Sequence, residues 1–378
     1  MIKLIDTHRN FFHSTPEIAL KEYKTAEYIR ENLKRLNIEF HTVGTSTLAF
    51  IPGETDSCIA FRADIDALPL LEESNNPFKS KINGMMHACG HDGHASMLLT
   101  FAEEITKNMT SGINLKKSLL LIFQAGEEGA GGAKYIIEDN YYKSKNIEAI
   151  FALHVYPEIN SGEFALKNGI LSLQNINLDI KITGKGCHGA QPHKGVDSIL
   201  VGAKLIEAYQ SIKSRNIPQH EHFLLTIGSF KAGSVRNIIP EYVDMLGTIR
   251  LENVSLIPLI QERIEKINKG FEEAFDVNIE MNFKPFYPPV INNENLYKLS
   301  LNAIKNQKCY TDVKLSGSED FSFFLQDGTP GFLGLMGIRD EEKGHIYPLH
   351  NNKFDFSNDA LIYGVDFFMN ILKEIKVF

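Results

Sequence analysis

The chain has 378 residues, and its 39 basic and 47 acidic side chains leave a net charge of −8. A hydrophobic share of 43% against 23% charged excludes a disordered, collagen-like or coiled-coil chain. The acidic balance disfavours a nucleic-acid binder, and 4 Cys at irregular spacing are too few for a disulfide scaffold.

Few thiols and no disulfide pattern suggest a reduced, cytoplasmic setting. No apolar run follows Lys3, so no signal peptide is expected. Runs such as Ser118 to Phe123 fall far short of the ~20 apolar residues of a membrane span, and no membrane partner is expected.

Ser14-Thr15-Pro16-Glu17 reads as a helix start, followed by a face of Tyr23, Ala26, Ile29, Leu33 and Leu36 at spacings of three and four. The runs Cys58 to Phe61, Leu119 to Phe123 and Ala149 to Leu153 do not alternate, which suits strands buried on both faces. Helical stretches from Ala95 to Ile105 and Gly132 to Ile137 lie between them. This alternation predicts a layered α/β domain.

From about residue 173 the pattern changes. Ile176, Leu178, Ile180 and Ile182 alternate with polar residues, and Val196 to Ile206 marks a helix. Phe223 to Ile227 and Val243 to Leu251 read as strands, Ile257 to Phe271 as an amphipathic helix, and Val277 to Phe283 as a last strand. The order β-α-β-β-α-β is that of a ferredoxin-like α+β unit. The expected organisation is a first catalytic part over 1–172, an insert over 173–286 and a second catalytic part over 287–378.

Ligands of open α/β sheets bind beyond the carboxyl ends of the strands. Three buried runs lead there into Asp64 and Asp66, into Glu127-Glu128, and into His154. The densest cluster is His87-Ala88-Cys89-Gly90-His91-Asp92-Gly93-His94, with ligand-type groups packed as in a metal nest. Two adjacent carboxylates at a buried strand end repel each other unless a cation or proton intervenes; one can bind metal while the other takes a proton from water. His154 alone is equally consistent with a hydrogen-bonded core histidine, and His350 carries less signal still. Asp64 or Asp66 can orient a ligand histidine or simply cap a strand. In the insert, the Gly-rich stretch Gly184 to His193 holds His188, Asn237 precedes Ile238-Ile239-Pro240, and Arg250 lies beside Thr248; a plain loop, a turn and a surface arginine account for these equally well. Cys, His and carboxylate together favour zinc or a similar transition ion over magnesium or calcium. Glu127 is then the candidate base, with an insert histidine over the developing oxyanion. No Gly-rich phosphate motif or nucleophile elbow is present.

Taken in order, Arg62-Ala63-Asp64-Ile65-Asp66-Ala67-Leu68-Pro69, Met86 to His94, Glu127-Glu128-Gly129, Leu153-His154-Val155, Gly186 to His193, Asn237 to Pro240 and Leu349-His350 resemble one family. It is the metal-dependent amidohydrolases, metallopeptidase-like in fold, that include aminoacylases, hippurate hydrolases, indole-acetyl-amino-acid hydrolases and N-acetyldiaminopimelate deacetylases. The resemblance spans nearly the whole chain. It implies two divalent ions (Zn, Mn, Co or Ni) on Cys89, His91, Glu128, His154 and His350, one of these bridging. It implies Glu127 as proton acceptor, Asp66 as the carboxylate orienting a ligand histidine, and His188 at an oxyanion, in its own or a partner's active site. Asn237 and Arg250 would hold the free carboxylate of an N-acyl amino acid, a role suited to the planar guanidinium fork. The insert would act as lid and dimerisation domain of a homodimer or higher oligomer. Family members usually carry Pro where Ala125 stands, so a looser loop is expected, and Gly where Cys187 stands. The first expectation is N-acetyldiaminopimelate deacetylase of lysine biosynthesis, followed by a general aminoacylase, hippurate hydrolase or dipeptidase. A metal- or ligand-binding relative without turnover is the non-enzymatic alternative; it has no need of Glu127.

Overall fold

The computed structural model describes residues 1–304, 306–315 and 317–378. They form two compact units. Met1–Leu171, Val290–Lys314 and Glu319–Phe378 make the first, and Ser172–Pro289 with Leu315–Ser318 the second. The short return of 315–318 to the second unit has no counterpart in the sequence pattern.

The first unit is built on an eight-stranded sheet in the order Glu39–Val43, Ser46–Ile51, Lys117–Gln124, Thr55–Asp64, Asn146–Asn160, Gly331–Arg339, Phe164–Ala165 and Cys309–Tyr310. Strands Lys117–Gln124, Thr55–Asp64, Asn146–Asn160 and Gly331–Arg339 are parallel neighbours at its centre. Their apolar runs are buried, as continuous Leu, Ile and Phe segments demand. Helices Ile2–Ser14, His91–Thr110 and Ala360–Glu374 bury Ile5, Phe12, Leu98, Phe101, Val365 and Phe368 in the same core. Because the central strands are parallel, their carboxyl ends share one edge, and Thr55–Asp64 and Lys117–Gln124 both end there. The third run does not end at His154. Its strand continues to Asn160, because Leu335, Met336 and Gly337 go on pairing with His154, Val155 and Tyr156. Pairing on the other side stops at Arg62 and Ala152, so the sheet opens beside His154.

Ser14-Thr15-Pro16-Glu17 does not start a helix; it follows helix Ile2–Ser14, and the next helix is Tyr23–Arg35. Glu17 and Ile18 are drawn into extended pairing with Ala67, whose N–H donates to the Glu17 carbonyl at 2.8 Å.

The second unit is a four-stranded antiparallel sheet in the order Phe223–Ala232, Tyr242–Leu251, Gln174–Thr183, Asn278–Pro285, with helices Ser198–Asn216 and Ile257–Phe275. This is the β-α-β-β-α-β arrangement. The Asp197 carboxylate accepts from the N–H groups of Ile199 and Leu200 and caps the first helix. Ile176, Leu178, Ile180 and Ile182 face Val201, Leu205, Ile260 and Ile264 in a core of its own.

Candidate metal centre

Gly90 precedes helix His91–Thr110 with φ +84°, and a Cβ there would overlap the Val155 side chain. Only glycine makes this turn, and it brings Cys89 and His91 together on either side of it. Cys89 Sγ lies 3.4 Å from His154 Nε2. Cys89, His91 and His154 present ligand atoms within 4.8 Å of one another, and so do Cys89, Glu128 and His350. His91, Glu127 and Glu128 form a third such group. His350 Nε2 is 3.2 Å from Glu128 Oε1. The His350 backbone has φ +62°, and its N–H donates to the Ala88 carbonyl at 2.8 Å. A non-glycine residue in that region is held there by its surroundings.

Hydrogen bonds select the tautomers. His154 Nδ1 donates to the Val155 carbonyl at 2.7 Å, and His91 Nδ1 donates to the Asp66 carbonyl at 2.9 Å. Both rings therefore turn Nε2 inward, the nitrogen left for a metal once Nδ1 is committed. His91 Nε2 is buried and has no hydrogen-bond partner. An orphaned imidazole nitrogen beside a thiol and a carboxylate fits a transition-metal ion. His94 is different. Its Nδ1 donates to Asp64 Oδ1 at 2.5 Å while its Nε2 accepts the Val155 N–H at 2.9 Å, so both nitrogens are committed. His87 is buried with neither ring nitrogen bonded, and burial lowers it to about 3.

Charge is distributed accordingly. Burial, then His94, lowers His154 to about 3, so the ring is neutral. For His91 burial is outweighed by Asp64 and Cys89, and the net position is well above the ordinary value. Hydrogen bonds to Cys89 and Glu128 raise His350 to about 10. The anionic surroundings that favour protons on these rings equally attract a cation in the proton's place. Burial, then Glu319, Asp320 and Glu128, pushes the Glu127 carboxyl well above the usual range. A carboxylate so placed is a stronger base than one in water.

Asp66 meets His91 through two atoms: its carbonyl oxygen accepts from Nδ1 at 2.9 Å, and its carboxylate Oδ1 lies 3.4 Å from the same nitrogen. The carboxylate also accepts the N–H groups of Glu127 at 3.1 Å and Glu128 at 2.9 Å.

Buried charge surrounds the base and its neighbours. The buried Arg62 guanidinium reaches Asp64 at 2.6 Å, Asp320 at 2.8 Å and Glu319 at 3.0 Å, and donates to Gln124 at 2.9 Å. The Asp320 N–H lies 3.4 Å from Glu127 Oε1. The adjacent carboxylates Glu319-Asp320 repeat the Glu127-Glu128 pattern, the one signal that would have pointed to them.

His188, Asn237 and Arg250 belong to the second unit. His188 is exposed and pairs with Ile238; its Nδ1 accepts the Ala190 N–H at 3.1 Å, which leaves the proton on Nε2. The Asn237 carbonyl accepts the Gly189 N–H at 2.8 Å. Arg250 donates to Thr248 at 2.8 Å and to Asn175.

Residues 60–374 match the model of peptidase family M20/M25/M40. The chain belongs to this family. Among its relatives, an N-acetyldiaminopimelate deacetylase of Brevibacillus brevis is 36% identical over 361 residues, 93% of each chain. An uncharacterized hydrolase of Staphylococcus saprophyticus is 31% identical over 377 residues, 99% of this chain and 97% of the other. A Bacillus subtilis structure described as a dinuclear metal-binding peptidase of family M20 superposes with a TM-score of 0.83 at 27% identity, covering 100% of this chain and 98% of that one. As a family M20 hydrolase, the protein has the layered α/β fold with a ferredoxin-like unit that its sequence pattern implies. No helix among the described residues is long and apolar enough to cross a membrane.

Proposed function

We propose that the protein hydrolyses the amide of N-acyl amino acids with two divalent ions held by Cys89, His91, Glu128, His154 and His350. Cys89 belongs both to the group with His91 and His154 and to the group with Glu128 and His350. When bound, the ions polarise the scissile carbonyl and lower the pKa of water. The observation that carries the reading is Glu127: a buried carboxyl of raised proton affinity, within 4.8 Å of His91 and Glu128 ligand atoms. Glu127 takes a proton from water as the water oxygen bonds to the acyl carbon. It then returns that proton to the leaving nitrogen as the C–N bond breaks, releasing a carboxylic acid and a free amino acid. His188, with its proton on Nε2, is proposed as donor to the oxyanion, in its own or a partner's site. Asn237 and Arg250 are proposed to hold the substrate carboxylate.

The substrate proposed first is N-acetyldiaminopimelate, in lysine biosynthesis, because the Brevibacillus relative is a deacetylase of that compound. A dipeptidase is the second reading, because the Bacillus subtilis neighbour is described as a peptidase. We further propose a cytoplasmic setting, in keeping with four free thiols, and a homodimer or higher homo-oligomer. The test is a panel of N-acetyl, N-succinyl and N-benzoyl amino acids and dipeptides, scored for released amine with wild type and Glu127→Gln. The variant is expected to keep its metal and lose at least about a hundredfold in kcat. Unchanged turnover would remove Glu127 from the mechanism.

A further inference from the structure

The sheet ladder between strands Ser46–Ile51 and Lys117–Gln124 ends at the pair Thr47 and Phe123. Beyond it the chain enters the loop that carries Glu127, and side chains take over from backbone. Four successive N–H groups each end on a side-chain oxygen. Ala125 donates to Ser46 Oγ at 3.0 Å and Gly126 to Glu22 Oε1 at 3.0 Å. Glu127 and Glu128 donate to the two oxygens of Asp66.

Glu22 stands out among these anchors. Its side chain is fully buried. Its Oε1 also accepts the Leu20 N–H at 2.8 Å, and its Oε2 accepts the Thr45 hydroxyl at 2.5 Å. All three hydrogen bonds come from neutral donors. Burying a carboxylate this way is expensive, and an apolar residue would fill the space at less cost. The surroundings are equally constrained. Leu20 has φ +62°, a conformation unfavourable for leucine, and its side chain covers Gly126, where a Cβ would come within 2.7 Å of Leu20 Cδ2. Gly126 itself has φ +72°. A strained leucine, a glycine that admits it and a buried carboxylate converge on the residue before the base.

We infer that Glu22 is a positioning residue for Glu127: by holding the Gly126 N–H it fixes the direction in which the next side chain leaves the loop, with Ser46 as a second anchor at Ala125. Ala125 is then no loosening of the loop. Its N–H, which proline lacks, is tied to Ser46. The inference rests on the assignment of Glu127 as base. A carboxylate displaced by about 1 Å loses about a hundredfold in rate while the ligands stay in place.

The experiment compares Glu22→Ala, Glu22→Gln, Ser46→Ala and Glu127→Gln as metal-loaded protein, measuring kcat, KM and bound metal. Glu22→Ala is expected to lower kcat by about 10- to 100-fold with KM within about twofold and metal content unchanged. Glu22→Gln is expected to recover to within about threefold of wild type, since the amide oxygen can accept both N–H groups and its NH2 can donate to Thr45. If Glu22→Ala does not fold, Ser46→Ala carries the test, with kcat about three- to tenfold down at unchanged KM. Wild-type kcat in Glu22→Ala, or in Ser46→Ala where that variant is the test, overturns the inference while Glu127→Gln is inactive. An equal loss in the Gln and Ala variants of Glu22 also overturns it. Full activity in Glu127→Gln overturns the assignment of the base instead.

Discussion

His13 should make the stability of the first unit depend on pH. It is buried in helix Ile2–Ser14, with Nδ1 2.7 Å from Asp92 Oδ2 and Nε2 3.1 Å from Glu72 Oε1. Arg9 shares Asp92 at 2.9 Å, and its guanidinium lies 3.6 Å over the Phe356 ring. Burial disfavours the imidazolium, but Asp92 and Glu72 outweigh it and lift His13 from 6.5 to about 9. A folded-state value above the unfolded one means that the folded chain binds the extra proton. The stabilisation is therefore complete below about pH 6.5 and is lost as pH rises through about 9. The gap from 6.5 to about 9 amounts to about 3 kcal/mol. Asp92 is held well below the usual carboxylate range by Arg9 and His13 against the opposing effect of burial; this is the same attraction seen from its other partner and is counted once. Urea unfolding of wild type and His13→Gln, followed by circular dichroism at about pH 6, 7.5 and 9.5, cancels the titrating groups that do not touch His13, and its partners Asp92 and Glu72 are both held below the usual carboxylate range. The stability gap between the two proteins should shrink by about 3 kcal/mol across this series. A gap that stays constant, or widens with pH, would refute the reasoning.

Arg62→Met should leave Asp64, Glu319 and Asp320 without their shared cation and lower stability by about 3–5 kcal/mol, read from the urea midpoint. Gly90→Ala should destabilise by more than the ~1 kcal/mol of a left-handed residue, because the added methyl meets Val155. Adding Val155→Ala should recover the steric part and leave the conformational part.

Most of the architecture was legible where burial and polarity coincide. Tyr23–Arg35 and Ile257–Phe275 show their buried faces as apolar stripes, and the central strands as apolar runs. In Ser198–Asn216 the helix is where the sequence puts it, but the stripe of Ile199, Leu200 and Ala203 is exposed and burial falls on Val201, Leu205, Tyr209 and Ile212 instead. Helix Ile2–Ser14 was missed because its buried face holds His8, Arg9 and His13 beside Phe12. Those groups are satisfied by Glu103, Asp92 and Asp355, partners far away in the chain, so no local period announces them. The candidate site divides the same way. The cluster from His87 to His94 is dense enough to be seen in the sequence, although only the fold shows that His94 is saturated and His91 open. Arg62 and Asp320 are 258 residues apart, and Glu22 and Gly126 are 104 apart. Contacts of that span are set by strand order, and no residue spacing records them.

The central claim is that Cys89, His91, Glu128, His154 and His350 form one cage for two ions that turnover requires. Chelated protein titrated with zinc, manganese or cobalt, with elemental analysis and released amine measured on the same samples, tests it most directly. Activity should return in step with binding, to a plateau at about two equivalents per chain, and Cys89→Ala should lose both. Full turnover in protein holding less than about a tenth of an equivalent would contradict the claim, as would two ions retained by Cys89→Ala.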